Sequence, residues 1–252
     1  MPDTLLPLFG LCAALLASLV GSFSGGGMSF ILFPLLLLGA PGSYVSLLTT
    51  SKTSAAIMCL TAAAVHRTRH RFSLPLFSTL VISTVAGTAV GTYLVQYQFN
   101  ETLFRTLIAI VMIVTGCTLL LYPQRGTENQ PQPVTPAVLT QLSLFCLAIS
   151  ILNGLFGGTG IFTTFYLVTR LRFSFIQATA YTLSAYTVVN LLHSGYLLTT
   201  ESVHWPLTLA VVLGSLAGSW LGTHLQYLKG NVWVRRATIA MMLVIGIRML
   251  FG

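Results

Sequence analysis

Lys52 stands near the middle of an apolar segment over residues 44–65, while the 4 acidic residues, Asp3, Glu101, Glu128 and Glu201, all fall in loops or at a terminus. A buried ammonium is costly unless it meets a counter-charge, water or carbonyls, so a charge at membrane depth is a functional candidate by default. No carboxylate is available there to pair with Lys52. An anionic solute would complete the charge, whereas a purely structural lysine would snorkel toward an interface.

Two glycine-rich breaks offer a second kind of chemistry. Phe23-Ser24-Gly25-Gly26-Gly27 interrupts one apolar run, and Phe156-Gly157-Gly158-Thr159-Gly160 interrupts another 133 residues later (156 − 23). Glycine has no Cβ and weakens a helix, so both runs are predicted to unwind the backbone and bare its N–H groups. In hydrocarbon those groups need a partner. Together with the positive ends of the helices that restart there, they suit the oxygens of a small anion. Ser24, Gly25, Gly26, Gly27, Gly157, Gly158, Thr159 and Gly160 are therefore candidate ligands.

Polar stripes supply directional donors. Around Lys52, Ser46, Thr49 and Thr53 fall on one helix face, and Thr179, Thr182 and Tyr186 match them in the second half, continuing through Asn190 and His193. The two stripes are predicted to face each other across a cavity; the competing reading for any one hydroxyl is a bond to its own i−4 carbonyl. Asn153, just before the second break, is placed to cap it or to touch solute. The reference pKa of histidine lies near neutrality, so His193 could relay protons, although a lone hydrogen-bonded histidine is commoner. Lacking an intramembrane carboxylate, any coupling must run through His193, Lys52, the solute's own proton or a sodium ion. No metal site or cofactor is expected, because Cys12, Cys59, Cys117 and Cys146 lie singly in apolar stretches and read as packing residues. Arg105, Arg236 and Arg248 sit near segment ends and read as interfacial anchors.

The elements that must position these groups are membrane helices. Hydrophobic residues make up 55% of the 252-residue chain and charged ones 6%, and the mean hydropathy is +0.86. That composition marks an integral membrane protein. The net charge of +8 points to loops facing anionic lipid rather than to nucleic acid. No Lys or Arg precedes Lys52 and Asp3 stands where a signal peptide is basic, so residues 5–22 are expected to be a retained first helix.

Apolar segments run over 5–22, 28–39, 44–65, 73–97 and 102–122, then 136–153, 160–170, 174–198, 205–227 and 232–251. The short segments 28–39 and 160–170 read as returning arms of broken hairpins. The halves also match residue by residue: Ser51 with Ser184 at an offset of 133, then Pro75 with Pro206, Asn100 with Asn231 and Arg105 with Arg236 at 131. Paired halves with matching broken segments are the sequence sign of a midplane binding site in secondary transporters.

The expected fold is an all-α polytopic membrane protein. Residues 1–122 form a first repeat, 123–135 a solvated Pro-rich linker and 136–252 a second, inverted repeat; each repeat is a broken re-entrant helix pair plus three transmembrane helices. Arg67, Arg69 and Arg71, then Arg170 and Arg172, then Lys229, Arg235 and Arg236 mark inside loops, whereas Glu101 and Glu201 mark outside ones, with both termini outside. Ser83, Gly87 and Gly91, matched by Gly214, Gly218 and Gly222, form small-xxx-small stripes. These are predicted to bring the two helices together near a pseudo-twofold axis.

Gly25-Gly26-Gly27 followed by Pro34-Leu35 and Gly39, loosely repeated as Phe156-Gly157-Gly158-Thr159-Gly160 with Ala178-Thr179 and Ser184, resembles the TauE/SafE sulfite exporter family, also called TSUP. The resemblance spans nearly the whole chain. It implies a multi-pass carrier of small sulfur-containing anions, such as sulfite, thiosulfate or organosulfonates like sulfoacetate, in a bacterial inner membrane. The second half departs from the pattern at Leu167, opposite Pro34, and at Thr159, which breaks the glycine triplet. Rival readings are an anion channel with the same site, a membrane-embedded enzyme drawing on Ser184 and His193, and a structural scaffold. Ser184 and His193 lie about half a turn out of phase on one helix and cannot form a dyad there.

Overall fold

The computed structural model of the protein describes residues 5–95, 101–121, 126–155 and 157–251. Asp3, Asn100, Pro123, Arg125 and Phe156 lie outside the described residues, as do the side chains of Glu101 and Arg105.

The described residues form ten helices and no strand. They are α1 (Leu6–Ser24), α2 (Met28–Gly39), α3 (Tyr44–Arg67), α4 (Leu74–Val95), α5 (Glu101–Leu121), α6 (Pro136–Leu155), α7 (Gly160–Thr169), α8 (Phe175–Thr200), α9 (Trp205–Lys229) and α10 (Asn231–Phe251). Every segment read from hydropathy coincides with one of them. Length and apolarity suffice for a membrane crossing in α1, α4, α6 and α9, whose hydropathies are 2.0, 1.6, 1.7 and 1.4. The polar helices α3 and α8 are as long, at 24 and 26 residues. Their polar side chains are tolerated because the two helices pack on each other and on α9 and α4.

The short arms α2 and α7 have 12 and 10 residues, so at about 1.5 Å per residue they cover roughly half of a ~30 Å hydrocarbon core. Burial in protein keeps them there. Leu32, Phe33 and Leu36 of α2 join a core cluster with α1, α3 and α9. Ile161, Phe162, Leu167 and Val168 of α7 join a second cluster with α4, α6, α8 and α10.

The small-residue stripes do not meet each other. Side chains at Gly214, Gly218 and Gly222 of α9 would run into the carbonyls of Leu11, Leu15 and Leu19 of α1 in that order, and Gly87 and Gly91 of α4 lie against the carbonyls of Leu147 and Ile151 of α6. Each stripe therefore brings in the first helix of the opposite half, in parallel orientation, because a bare Cα lets a straight neighbour approach to backbone contact. The helices that pair with their own counterparts are α3 with α8 and α5 with α10. In the latter pair Arg235 donates to the Leu119 carbonyl while Gly246 faces Ala109 and Ile113, so α5 and α10 run antiparallel.

Gly91→Ala is accordingly expected to force α4 from α6 and to cost about 1–3 kcal/mol. Gly195→Ala is the control, since nothing lies within 4 Å of its Cβ position. Unfolding midpoints in detergent measure both, with only the first falling.

The linker is exposed yet anchored. Gln130 and Gln132 donate to the carbonyls of Arg172 and Leu171 at 3.1 Å each. The Asn129 side chain accepts from the Ser174 backbone at 3.1 Å, and the Asn231 side chain donates to the Thr127 carbonyl at 3.0 Å. A solvated linker was expected; most of its described residues are exposed, and these bonds fix it to the α7–α8 turn and the start of α10.

Candidate functional site

The first break consists of three consecutive left-handed residues, Gly25 (φ 88°), Gly26 (φ 127°) and Gly27 (φ 85°), and the second holds Gly157 and Gly158, both at φ 79°. Only glycine occupies such runs without strain. The two breaks touch: a Cβ on Gly26 would lie 2.9 Å from the backbone nitrogen of Ile161 and 3.0 Å from the carbonyl carbon of Gly160. Thr164 of α7 clamps them by donating from Oγ1 to the Gly25 carbonyl at 2.8 Å.

Not every N–H in these runs is bare. Gly26 donates to the Gly21 carbonyl at 2.7 Å and Gly157 to the Asn153 carbonyl at 3.0 Å, while Gly25, as C-cap of α1, also donates to Gly21. These three close off the preceding helix, as left-handed caps do. Among the described residues, the first-turn donors without a partner belong to the restarting helices, at Gly27, Met28 and Ser29 and at Gly158, Thr159 and Gly160. The sequence reading counted Gly25, Gly26 and Gly157 among the bare donors; their role is to shape the break.

Lys52 is fully buried, at 0% exposure. Its ammonium donates to the Asn153 carbonyl at 2.6 Å, and a Cβ on Gly157 would stand 3.0 Å from Nζ. It thus reaches the carbonyl end of α6, the negative pole of that helix. An ammonium has three donors, and Asn153 takes one. The acidic side chains within the described residues, Glu128 and Glu201, lie in the linker and at the end of α8. The carbonyl end of α1 is capped by neutral groups: Gln226 donates to Ser22 and Phe23 at 2.8 and 2.7 Å, and Thr238 to Ser24 at 2.9 Å. Each broken helix is capped from the other half, and only the cap on α6 carries charge.

Around the junction, Gly26, Gly27, Asn153, Gly158, Gly160, Tyr186 and Asn190 line one small cavity, with α3 contributing Ala55, Met58 and Cys59. The space reachable by the centre of a water molecule is about 20 Å³, room for about one water. The Tyr186 hydroxyl lies 3.2 Å from both Thr159 and Thr163 Oγ1, and Thr164 Oγ1 lies 3.1 Å from Thr182 Oγ1.

The remaining candidates are placed elsewhere. Thr49 donates to the Val45 carbonyl at 2.7 Å and Thr53 to the Thr49 carbonyl at 2.9 Å. Ser24 turns back to the Val20 carbonyl at 2.8 Å. Away from water, a β-hydroxyl finds its nearest acceptor one turn back in its own helix. The α3 face opposite Tyr186 and Asn190 is consequently Ala55, Met58 and Cys59 rather than the Thr49–Thr53 stripe, and Asn190 donates to the Cys59 sulfur at 3.5 Å. His193 lies outside this cavity, between α8 and α4, 3.0 Å from Thr92 Oγ1. Sequence reasoning missed Ser29, Thr163, Thr164 and Thr88, whose Oγ1 accepts from Asn153 Nδ2 at 3.1 Å. The Thr159–Thr163 spacing of one turn was the available signal.

The family model described as Sulfite exporter TauE/SafE matches residues 10–249. The chain is similar to a protein named "Probable membrane transporter protein" from Haemophilus influenzae, 26% identical over 95% of this chain and 92% of that one. It is similar to "Probable membrane transporter protein ORF9" from Sinorhizobium sp., 27% identical over 94% and 90%. It is also similar to "Probable membrane transporter protein YfcA" from Escherichia coli K12, 25% identical over 94% and 87%. No solved structure matches it.

Proposed function

The chain belongs to the Sulfite exporter TauE/SafE family, and from that premise we propose that it is a secondary carrier of small sulfur-containing anions that binds its cargo at the junction of the two breaks. The observation that carries the reading is Lys52, a fully buried cation without a carboxylate partner among the described residues. The restarting helices α2 and α7 begin at the same junction, so their positive ends and free N–H groups add to its charge. Sulfite, thiosulfate and the sulfonate head present several acceptor oxygens on one sulfur, which such a cluster of donors matches.

The halves act as inverted repeats. Support comes from the most extensive helix pairings, which map onto one another when α1–α5 are exchanged for α6–α10: α1 with α9 becomes α6 with α4, and α3 with α9 becomes α8 with α4. The antiparallel course of α5 and α10 supports opposite orientation of the halves. Positive-inside asymmetry then puts the loop at residues 66–71 and the start of α10 on the cytoplasmic side of a bacterial inner membrane. A cavity with room for only about one water favours a carrier over an open pore.

Unfolding midpoints of the purified protein against sulfite, thiosulfate, short sulfonates, sulfate and carboxylates test the cargo. Saturating ligand at about 100 times its Kd contributes about 2.7 kcal/mol to the bound form. Stabilisation by sulfur anions and not by carboxylates is the expected pattern, and stabilisation by a cation or neutral solute alone would overturn it.

A further inference from the structure

Two helix seams occupy matching places in the halves, and they differ. Between α4 and α8, Val85, Thr88 and Thr92 with Val189, Leu192 and His193 line a crevice of about 330 Å³. Ala89 and Tyr93 of α4 and Leu192 and Tyr196 of α8 are exposed along it. Its polar side leads inward. His193 Nε2 lies 3.0 Å from Thr92 Oγ1, Thr92 donates to the Thr88 carbonyl at 2.8 Å, and Thr88 Oγ1 accepts from Asn153 at 3.1 Å. Asn153 is the residue whose carbonyl holds Lys52. The crevice thus ends one side chain from the proposed anion site.

The counterpart seam, between α9 and α3, is shut. Ser219, counterpart of Thr88 at the 131-residue offset (88 + 131), donates to the Met58 carbonyl at 2.7 Å. Ser215 is hydrogen-bonded to Ser54, and Thr50 to Thr208 at 3.1 Å. Thr223, counterpart of Thr92 (92 + 131), is fully buried and its hydroxyl has no partner among the described residues. At the basic end of the seam the Tyr227 hydroxyl lies 2.7 Å from His66 Nδ1. The Arg69 guanidinium sits 4.3 Å over the Tyr227 ring, and His70 stacks on it at 6.0 Å and 25°. Three groups from the α3–α4 side therefore grip one aromatic ring of α9.

Resting on the inverted-repeat carrier described above, we propose that the α4–α8 crevice is the outer approach to the Lys52 site and that Tyr227, gripped by His66, Arg69 and His70, latches the equivalent inner approach. The two approaches are one structural element in its two states. The crevice lies toward the Glu201 end of α8, and the latch lies on the basic loop. An inward-facing form must part α9 from α3, which breaks the latch; weakening the latch shifts the population toward that form.

Cysteine accessibility tests this without any knowledge of the cargo. In a Cys12→Ser, Cys117→Ser background, single Ala89→Cys and Thr223→Cys variants are treated with a membrane-impermeant cationic methanethiosulfonate, in right-side-out and in inverted vesicles. Ala89→Cys is expected to react from outside only, and Thr223→Cys from neither side. Adding Tyr227→Ala should make Thr223→Cys react from inside about tenfold faster, the combined worth of a hydrogen bond and a cation–π contact. Tyr227→Phe, which keeps the ring and disturbs folding least, should give a smaller gain. Reaction of Ala89→Cys from inside or not at all, ready reaction of Thr223→Cys with the latch intact, or no gain from Tyr227→Phe would overturn the assignment. Labelling needs no substrate, so a wrong sulfur-anion cargo leaves this result standing, and a failed latch leaves the thermal-shift result standing.

Discussion

Lys52→Met is expected to weaken anion binding severely while the protein still folds. The methionine keeps most of the side-chain volume and removes the charge. A hydrogen bond from a charged group contributes about 1.5–3 kcal/mol, so an anion held by Lys52 should lose roughly 10- to 100-fold in affinity. The fold tolerates the change because the Asn153 carbonyl still accepts from Gly157 at 3.0 Å. Removing a buried cation also removes its desolvation cost. Lys52→Arg should not restore binding, because Gly157 stands so close to Nζ that a guanidinium has no room. Sulfite transport into proteoliposomes, alongside unfolding midpoints, separates the possibilities. Unchanged transport in Lys52→Met would make the lysine a cap for α6 and nothing more, as Gln226 is for α1.

Gly26→Ala should be strongly destabilising. At φ 127° the backbone lies where an L side chain is strained, at about 1–3 kcal/mol. The new Cβ would also stand 2.9 Å from the Ile161 nitrogen and 3.0 Å from the Gly160 carbonyl carbon. Backbone cannot swing aside as a side-chain tip can, so overpacking adds about 1–3 kcal/mol. A total near 2–6 kcal/mol is a large share of a typical folding free energy of about 5–15 kcal/mol. Gly27→Ala isolates the cause. Its φ is also positive, at 85°, but its Cβ would meet only the end of Met241, a flexible side chain that can move. Unfolding midpoints should therefore fall steeply for Gly26→Ala and modestly for Gly27→Ala. Equal effects would mean that backbone strain alone matters and that the contact between the breaks carries no weight.

The helices were legible because apolarity and length are local properties. Ten apolar runs bounded by Gly, Pro and charge became ten helices, and the two shortest became α2 and α7. The breaks were legible for the same reason, since three glycines in a row state a backbone requirement without reference to any neighbour. Lys52 stood out against a chain with its acids all in loops.

Side-chain direction was less legible. Thr49 and Thr53 looked like site residues because of their stripe, but each hydroxyl had an i−4 carbonyl within reach and took it. Asn190 and His193 share a stripe, yet Asn190 lines the cavity and His193 the crevice. A rotation of 60° between positions three apart is enough to carry the second residue to a different neighbour.

By itself, then, the amino-acid sequence determined that this is a helical membrane protein, where its helices break, and that Lys52 stands in an apolar segment that holds no acidic residue. Tertiary structure decided which half supplies each partner: α9 to α1, α6 to α4, and Lys52 of the first half to the end of α6. It also decided that one of two matching seams stands open and the other shut. Those outcomes depend on how closely backbones approach and how each helix is turned about its axis. Both are set by contacts between residues far apart in the chain, for which a hydropathy pattern holds no term.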